Sequence, residues 1–384
     1  MADSGPLAGL RVIDLSTTFM GPYCTLLLAQ MGAEVIKVEA PGGDVVRGIG
    51  PGGDAGLGTV FQNAGRGKRS IVLDLKDPAD HRTLLGLAAS ADVFLHAMRP
   101  RAAERLGIGP DVIAEANPRC VYAALQGFGS DGPYRDKAAY DDVIQAVSGL
   151  AHVQGGDGEP AYVKSAIGDK VVGMMALSAI LAALYERSAS GEGQAIEVPM
   201  FETMAGFMLL DQQGGWVYDP PAGPAGYSRT ASPHRRPYRT RDGHIGVMVY
   251  TDGQWRAFFT LIGRPELADE PRYRTITERT VHIDELYAMV ADALTERTTE
   301  EWLAELDAVG IPAAPIRSIE DLFGDEHAQA VGLFDRLDAP GLGTLRLPRF
   351  PVRYSRTPPA PLPPAPRLDA DGPALRSEPL SGPG

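Results

Sequence analysis

The chain has 384 residues, enough for two domains at about 100 to 200 residues each, and its 44% hydrophobic and 22% charged content is that of a globular protein with a sizeable core. A net charge of -13 excludes a polyanion-binding surface spread over the whole molecule, so nucleic acid is not an expected partner and an anionic ligand needs a local basic pocket. Two cysteines, Cys24 and Cys120, lie in apolar segments without CxxC pairing; they read as small core residues in a reducing compartment, not as disulfides or metal ligands. No apolar run is expected to reach the roughly 18 residues that span a bilayer, and Met1 to Gly9 lacks the charged-then-apolar order of a signal peptide. The expected location is therefore cytoplasmic, with no membrane partner.

Gly9 to Leu15 reads as a buried strand, Pro22 to Met31 as a helix with Pro in its first turn, and Glu34 to Glu39 as a second strand, together one parallel strand-helix-strand unit. The connection Ser16-Thr17-Thr18-Phe19-Met20-Gly21-Pro22 carries no GxGxxG, which argues against an ordinary dinucleotide site. Gly-rich Asp44 to Gly58 reads as a flexible loop. It leads to Arg66, Lys68 and Arg69, cations beside glycines that could hold a phosphate or simply face solvent, and to a strand Ser70 to Leu75. Asp80 to Ala89 reads as a helix, Asp92 to Leu95 as a strand, Ala102 to Leu106 as a helical turn, and Cys120 to Leu125 as a buried strand that runs into the loop Gly127 to Tyr134. Tyr140 to Gly149 reads as a helix opened by acidic residues. In an open parallel sheet ligands collect where strands end and helices begin, so the loops near Gly21, Gly129 and Tyr140 are candidates for one crevice.

A wide apolar face follows Gly168-Asp169 at helical spacing: Val171, Val172, Met174, Met175, Leu177, Ile180, Leu181 and Leu184. A buried helix therefore starts near Gly168-Asp169. Its carboxylate could be an ordinary N-terminal cap, or a nucleophile or proton acceptor held beside a glycine on an apolar wall. Beyond it, Ala195 to Val198 reads as a strand, Phe201 to Leu210 as an apolar helix and Pro220 to Gly226 as a linker. A second unit opens near Tyr238 with a hairpin around Asp242-Gly243. It continues with helices around Trp255, from Val281 to Leu294 and after the capping box Thr298-Thr299-Glu300-Glu301, which makes a small α+β domain. Gly341 to Val352 reads as strand again, and Pro358 to Pro366 as an extended arm. The expected organisation is a large domain begun by residues 1–200, a linker at 201–229, a small domain at 230–325, and a return to the large domain over 326–384.

These motifs together resemble the class III coenzyme A transferases, the family of formyl-CoA transferase and carnitine CoA-transferase. The resemblance rests on Leu7 to Leu15, Gly21-Pro22, Gly32 to Glu39, Asn63 with Gly67 to Ser70, Ala91-Asp92-Val93, Gly129 with Gly132-Pro133, and Ile167-Gly168-Asp169. It implies an α/β fold with a Rossmann-like parallel sheet, a small second domain and an interlocked homodimer. It places the family's nucleophile on Asp169 and CoA contacts on Arg105 and Leu106, with Lys137, Tyr140, Thr18, Phe19 and Lys68 as further cofactor-site residues and Gly129 and Gly168 at the oxyanion or substrate loop. Two departures stand out: Ala40 follows Glu39 where an Arg is usual near the adenine, and Met20 replaces a small residue before Gly21-Pro22. A glycine-only loop has no counterpart near Ser232 to Arg236.

The implied reaction moves CoA from an acyl-CoA thioester to a free carboxylic acid through an aspartyl anhydride and an aspartyl-CoA thioester, with no metal. A carboxylate suits this because it is both nucleophile and leaving group. The alternatives are a racemase like α-methylacyl-CoA racemase, whose His before Asp corresponds here to Tyr140 before Asp141, and a CoA-binding protein without catalysis. Tyr, with a reference pKa near 10, is a poor base at neutral pH. His152 is the only histidine nearby.

Overall fold

The structure is a computed structural model that describes residues 4–378. Residues 1–3, part of the stretch read above for a signal, and 379–384, the end of the expected C-terminal return, lie outside the described residues. The chain forms two units: Met1–Gln154 with Ala161–Phe207 and Gln329–Gly384, and Gly155–Pro160 with Met208–Ala328.

In chain order the first unit contains β1 (Arg11–Asp14), α1 (Met20–Gln30), β2 (Glu34–Glu39), α2 (Thr59–Gly65), β3 (Lys68–Val72), α3 (Pro78–Ala89), β4 (Val93–His96), α4 (Pro100–Arg105), α5 (Pro110–Ala116), β5 (Val121–Gln126), α6 (Asp141–Val147), α7 (Leu150–Gly155), α8 (Ile167–Ser190), β6 (Ala195–Pro199) and α9 (Met200–Gln212), the ends of α7 and α9 passing into the second unit. The six strands form one sheet in the order β3-β2-β1-β4-β5-β6, every pair parallel. This is the doubly wound order, and its direction reverses between β1 and β4, where ligands of such sheets bind outside the carboxyl ends.

Strand side chains alternate between two cores, as the pleat requires. Val12, Val35, Val93, Val121 and Ala123 face one side, with Cys24 and Leu28 of α1 and Val172, Ala176 and Ile180 of α8. Ile13, Ile36, Ile71, Phe94 and Tyr122 face the other, with Leu84 and Leu87 of α3 and Ile113 of α5. Both cysteines are buried free thiols. Helix α3 starts where Asp77 accepts from the Ala79 and Asp80 N–H groups and Pro78 fills the first turn.

Two expectations change. Residues 44–58 are packed turns instead of a flexible loop, because Val46 and Leu57 are buried with Phe61 of α2 and Ala365. Gly341 to Val352, expected as strand, supplies β11 (Gly343–Pro348), which pairs antiparallel with β10 (Phe334–Ala339), and the apolar helix expected over Phe201 to Leu210 is α9, which runs to Gln212. Finally, α8 is long and apolar enough, by length and composition, to cross a membrane, with mean hydropathy 1.7 over its best window. One face of α8 packs in the core, while Met174, Met175 and Tyr185 are exposed on the other.

The second unit holds α10 (Ser228–Ala231), an antiparallel sheet of β7 (Tyr238–Arg239), β8 (His244–Val247) and β9 (Ala313–Pro315), and helices α11 (Asp252–Leu261), α12 (Ile276–Val281), α13 (Ile283–Leu294) and α14 (Thr299–Ala308). Its core gathers Trp255, Phe258, Phe259, Leu286 and Trp302. Capping boxes at Thr251, Thr275 and Thr298 start three of these helices.

Helices α1 and α8 cross at Gly173, where an added Cβ would stand 2.7 Å from the Met20 carbonyl oxygen and 3.2 Å from Tyr23. Because the closest obstacle is backbone, it has little room to give. Gly173→Ala is expected to destabilise the fold by about 1–3 kcal/mol, as overpacked sites do. The measurement is the urea midpoint, and an unchanged midpoint would contradict this crossing.

Candidate active site

The carboxyl end of β1 carries Asp14, fully buried on the α1 side of the sheet. Its carboxylate meets the Lys68 ammonium at 3.1 Å and accepts from Thr25 at 2.6 Å and from the Ser16 N–H at 2.9 Å. Burial alone would raise this carboxyl, but Lys68, Lys37 and the Ser16 and Thr25 hydroxyls outweigh it and hold it at about 2. Lys68 also donates to the Pro22 carbonyl and Thr25 Oγ1. This corrects the expectation for Lys68: its three donors are spent inside the protein, so it secures the start of α1 and does not reach a phosphate. Its neighbours are committed too. Arg66 donates to the Pro348 carbonyl, and Arg69 pairs with Glu34 and Glu378.

Above this cluster a cleft of about 390 Å³ opens at the carboxyl ends of β1 to β4. Thr17, Ala40, Lys76, Met98 and Leu106 are among its lining residues. Leu106 lines this cleft next to the exposed Arg105, which has no counter-ion among the described residues. Ala40 leaves the β2 side of the cleft without the usual Arg, while Lys76 brings a cation from the β3 side. Sequence reasoning passed over Lys76, although its place just after a strand was the available signal.

Thr18 and Phe19 follow Thr17 out of the cleft into the start of α1. Thr18 has φ of 66°, and its N–H donates to Asp44 at 3.2 Å. Phe19 is the N-cap residue of α1 and makes no side-chain cap bond. The first N–H groups of a helix that begins at a sheet's carboxyl edge form a site for anions.

Asp169 lies one turn before Gly173 on the same side of α8, which places it at this end of α1. It is not a cap. The N-cap position is Ala166, and the Asp169 carboxylate makes no hydrogen bond or ion pair among the described residues. Its own N–H donates to Asp141 Oδ1 at 3.0 Å. Gly168 permits that approach, since a Cβ there would come within 3.0 Å of the same oxygen. Asp141 is held by Gln145 at 2.6 Å, and Gln145 accepts from the Val163 N–H at 2.9 Å. Burial first, and the Asp141 carboxylate second, push Asp169 up to about 7, with Lys170 pulling weakly the other way. Nothing in the sequence marked Asp141 as this partner, because the pairing crosses from α6 to α8.

Tyr140 is the exposed residue before Asp141, at the start of α6. Lys137 is also exposed and stacks its ammonium over the Tyr134 ring at 3.5 Å. Gly129 does not offer a free donor: its N–H goes to Glu202 at 3.0 Å, and the Ser130 N–H goes to Glu197 at 2.6 Å. The oxyanion expectation for that loop is corrected accordingly. Gly168, in the first turn of α8, keeps its N–H without an acceptor among the described residues. No cluster of three or more His, Cys, Asp or Glu among the described residues is placed to hold a metal.

The raised Asp169 carboxyl affects stability. Its folded value of about 7 lies above the unfolded value near 4, so the neutral form favours folding fully below pH 4, and that contribution is lost as pH rises through 7. Asp169→Asn is expected to raise Tm at pH 8 and to leave it nearly unchanged at pH 4. Thermal melts at the two pH values check this, and equal shifts at both would contradict it.

The sequence model of CoA-transferase family III matches residues 7–372. The mouse succinyl-CoA:glutarate CoA-transferase is 32% identical, covering 91% of this chain and 81% of its own. The succinate–glutarate CoA-transferase of Agrobacterium fabrum is 34% identical over 92% of both. The acetyl-CoA:oxalate CoA-transferase of Acetobacter aceti is also 34% identical, over 97% and 96%. Among crystal structures, a CAIB/BAIF family protein from Brucella suis superposes with TM-score 0.81 at 29% identity, covering 98% of this chain and all of its own. With a matching family model over nearly the whole chain and relatives more than 30% identical over most of their length, the chain belongs to CoA-transferase family III and is an enzyme of that family.

Proposed function

We propose that the chain transfers CoA between an acyl-CoA thioester and a free carboxylic acid, with Asp169 as the nucleophile. The observation that carries this is a carboxylate without a hydrogen-bonding partner among the described residues, pushed up to about 7, at the start of α8 and against the start of α1, in a domain whose sheet also opens a cleft at its switch point.

An Asp169 oxygen attacks the thioester carbonyl, the C–S bond breaks, and CoA leaves as thiolate from a mixed anhydride. The thiolate attacks the aspartyl carbonyl and releases the donor acid as carboxylate. The acceptor carboxylate then attacks the aspartyl-CoA thioester, again expelling thiolate. That thiolate attacks the acceptor's carbonyl in the second anhydride, which yields the new acyl-CoA and frees Asp169. Protons and water balance without entering, so the thioester's energy is conserved. The free Gly168 N–H at the α8 N-terminus is the donor we assign to the oxyanions. Arg105, Leu106 and Lys76 suit the nucleotide end of CoA, and the first turn of α1 its phosphates. The relatives named for succinate, glutarate and oxalate support short dicarboxylic acids as substrates. The exposed Met174, Met175 and Tyr185 on α8 support a second copy of this chain covering that face, as in an interlocked homodimer.

Racemase chemistry lacks support at this site, since the residue before Asp141 is Tyr140 and not a histidine.

Asp169→Ala is expected to lower CoA transfer by roughly 10³-fold or more with the fold kept. Wild-type enzyme incubated with acyl-CoA and hydroxylamine should lose activity and carry a hydroxamate at Asp169 by mass spectrometry. Full activity in Asp169→Ala would end the assignment. Because the carboxylate is the attacking form, kcat/KM should rise with pH through about 7. Removing the neighbouring charge in Asp141→Asn should move that limb to lower pH; a limb that stays in place would show that Asp141 does not set it.

A further inference from the structure

Thr18 is one of two residues other than glycine at positive φ among the described residues, and the one at the site. A β-branched residue in this region is strained, by about 1–3 kcal/mol, and persists only when its surroundings impose it. Those surroundings are visible. The Thr18 N–H donates to Asp44 Oδ1, which also accepts from the Val46 N–H, each at 3.2 Å. Asp44 is 3% exposed, and its own N–H donates to Glu39 Oε2 at 2.9 Å. The second Asp44 oxygen lies 2.9 Å from the Lys37 ammonium, an ionic contact without hydrogen-bond alignment. Lys37 is 1% exposed and spends a donor on the Ser16 carbonyl at 2.8 Å. Lys37 and Asp44 thus grip the turn from both sides, at residue 16 and at residue 18. Between them lies Thr17, which lines the cleft, and directly after them α1 begins.

We propose that Asp44, oriented by the buried Lys37, is a positioning residue: it locks Thr18 in the left-handed conformation and so fixes residues 17–20 and the first N–H groups of α1 against the CoA thioester. This rests on the CoA-transferase reading above. It adds that affinity for the acyl-CoA depends on a pair of buried charges that do not themselves meet the reacting atoms. Glycine at position 18 adopts this φ without strain, so the need for the clamp should fall when Thr18 is replaced by glycine.

The test is a double-mutant cycle on the full-length enzyme with Asp44→Ala, Thr18→Gly and the combination. Asp44→Ala is expected to raise KM for acyl-CoA about tenfold with kcat within threefold of wild type, and to speed hydrogen exchange of the segment 15–22 measured by mass spectrometry. In the Thr18→Gly background the same change should raise KM by no more than about threefold. An equal KM increase in both backgrounds, or a fall in kcat alone, would overturn the proposal. Where Asp44→Ala does not fold, Asp44→Asn keeps an oxygen acceptor for the Thr18 N–H but loses the charge facing Lys37. It should give an intermediate KM, and a wild-type KM together with unchanged exchange would overturn the role of the pair. The exchange readout needs no turnover. If wild-type protein neither binds CoA nor transfers it, the transferase reading fails while exchange still decides the clamp; unchanged exchange in Asp44→Ala ends the clamp even in an active enzyme.

Discussion

A carboxylate and two ammonium groups share a buried space at the carboxyl edge of the parallel sheet. Asp14, Lys68 and Lys37 are each at most 5% exposed, and they sit on neighbouring strands β1, β3 and β2. Buried charge is tolerated only when it is paired and hydrogen-bonded, and removing one partner of such a pair typically costs about 3–5 kcal/mol. The cluster uses its remaining donors and acceptors on the segment between β1 and α1: Ser16, Pro22 and Thr25 are all bound to it. The sheet edge and the start of α1 are therefore one rigid piece. The cleft on one side of that piece and Asp169 on the other take their positions from it.

The crossing of α8 over α1 is the second constraint. Gly173 lets the two backbones approach, and Asp169 sits one turn earlier, where its N–H meets Asp141. A carboxylate placed there loses water on one side and gains a like charge on another, and both effects raise its pKa. On the proposed mechanism this suits a group that must attack a carbonyl and then leave from one. A carboxylate strongly stabilised by ion pairs, as Asp14 is, would be a weaker nucleophile. The two aspartates thus occupy opposite electrostatic environments on the same side of one sheet: Asp14 is depressed and structural, Asp169 raised and unpartnered.

Much of this was legible in the residues. The adjacent apolar pairs Val12-Ile13 and Val35-Ile36 encode strands buried on both faces, and the apolar face after Gly168 encodes α8. The apolar spacing led straight to Asp169. Single segments conceal partners that lie far along the chain. Lys68 follows glycines and resembles a phosphate ligand, yet as the first residue of β3 it points into the α1 side of the sheet, where Asp14 waits. Gly129 sits in a glycine-rich loop that looks open, yet Glu197 and Glu202, some 70 residues later, take the N–H groups of Gly129 and Ser130. Residues 44–58 look flexible from their glycines, but Val46 and Leu57 find Phe61 and Ala365.

By itself the sequence determined most strands and helices of the large domain, the order in which they alternate, and that an acidic residue stands in the first turn of the longest apolar helix, because local periodicity and helix-start chemistry act over a few residues. Tertiary structure alone decided which charges are spent inside and which are left for chemistry. A carboxylate's partner is a matter of distance in space: Asp14 meets Lys68 across 54 positions, Asp169 meets Asp141 across 28, and Thr18 meets Asp44 across 26. No local pattern carries that information, since each pairing exists only after the sheet has set the strands side by side and the helices have packed upon it.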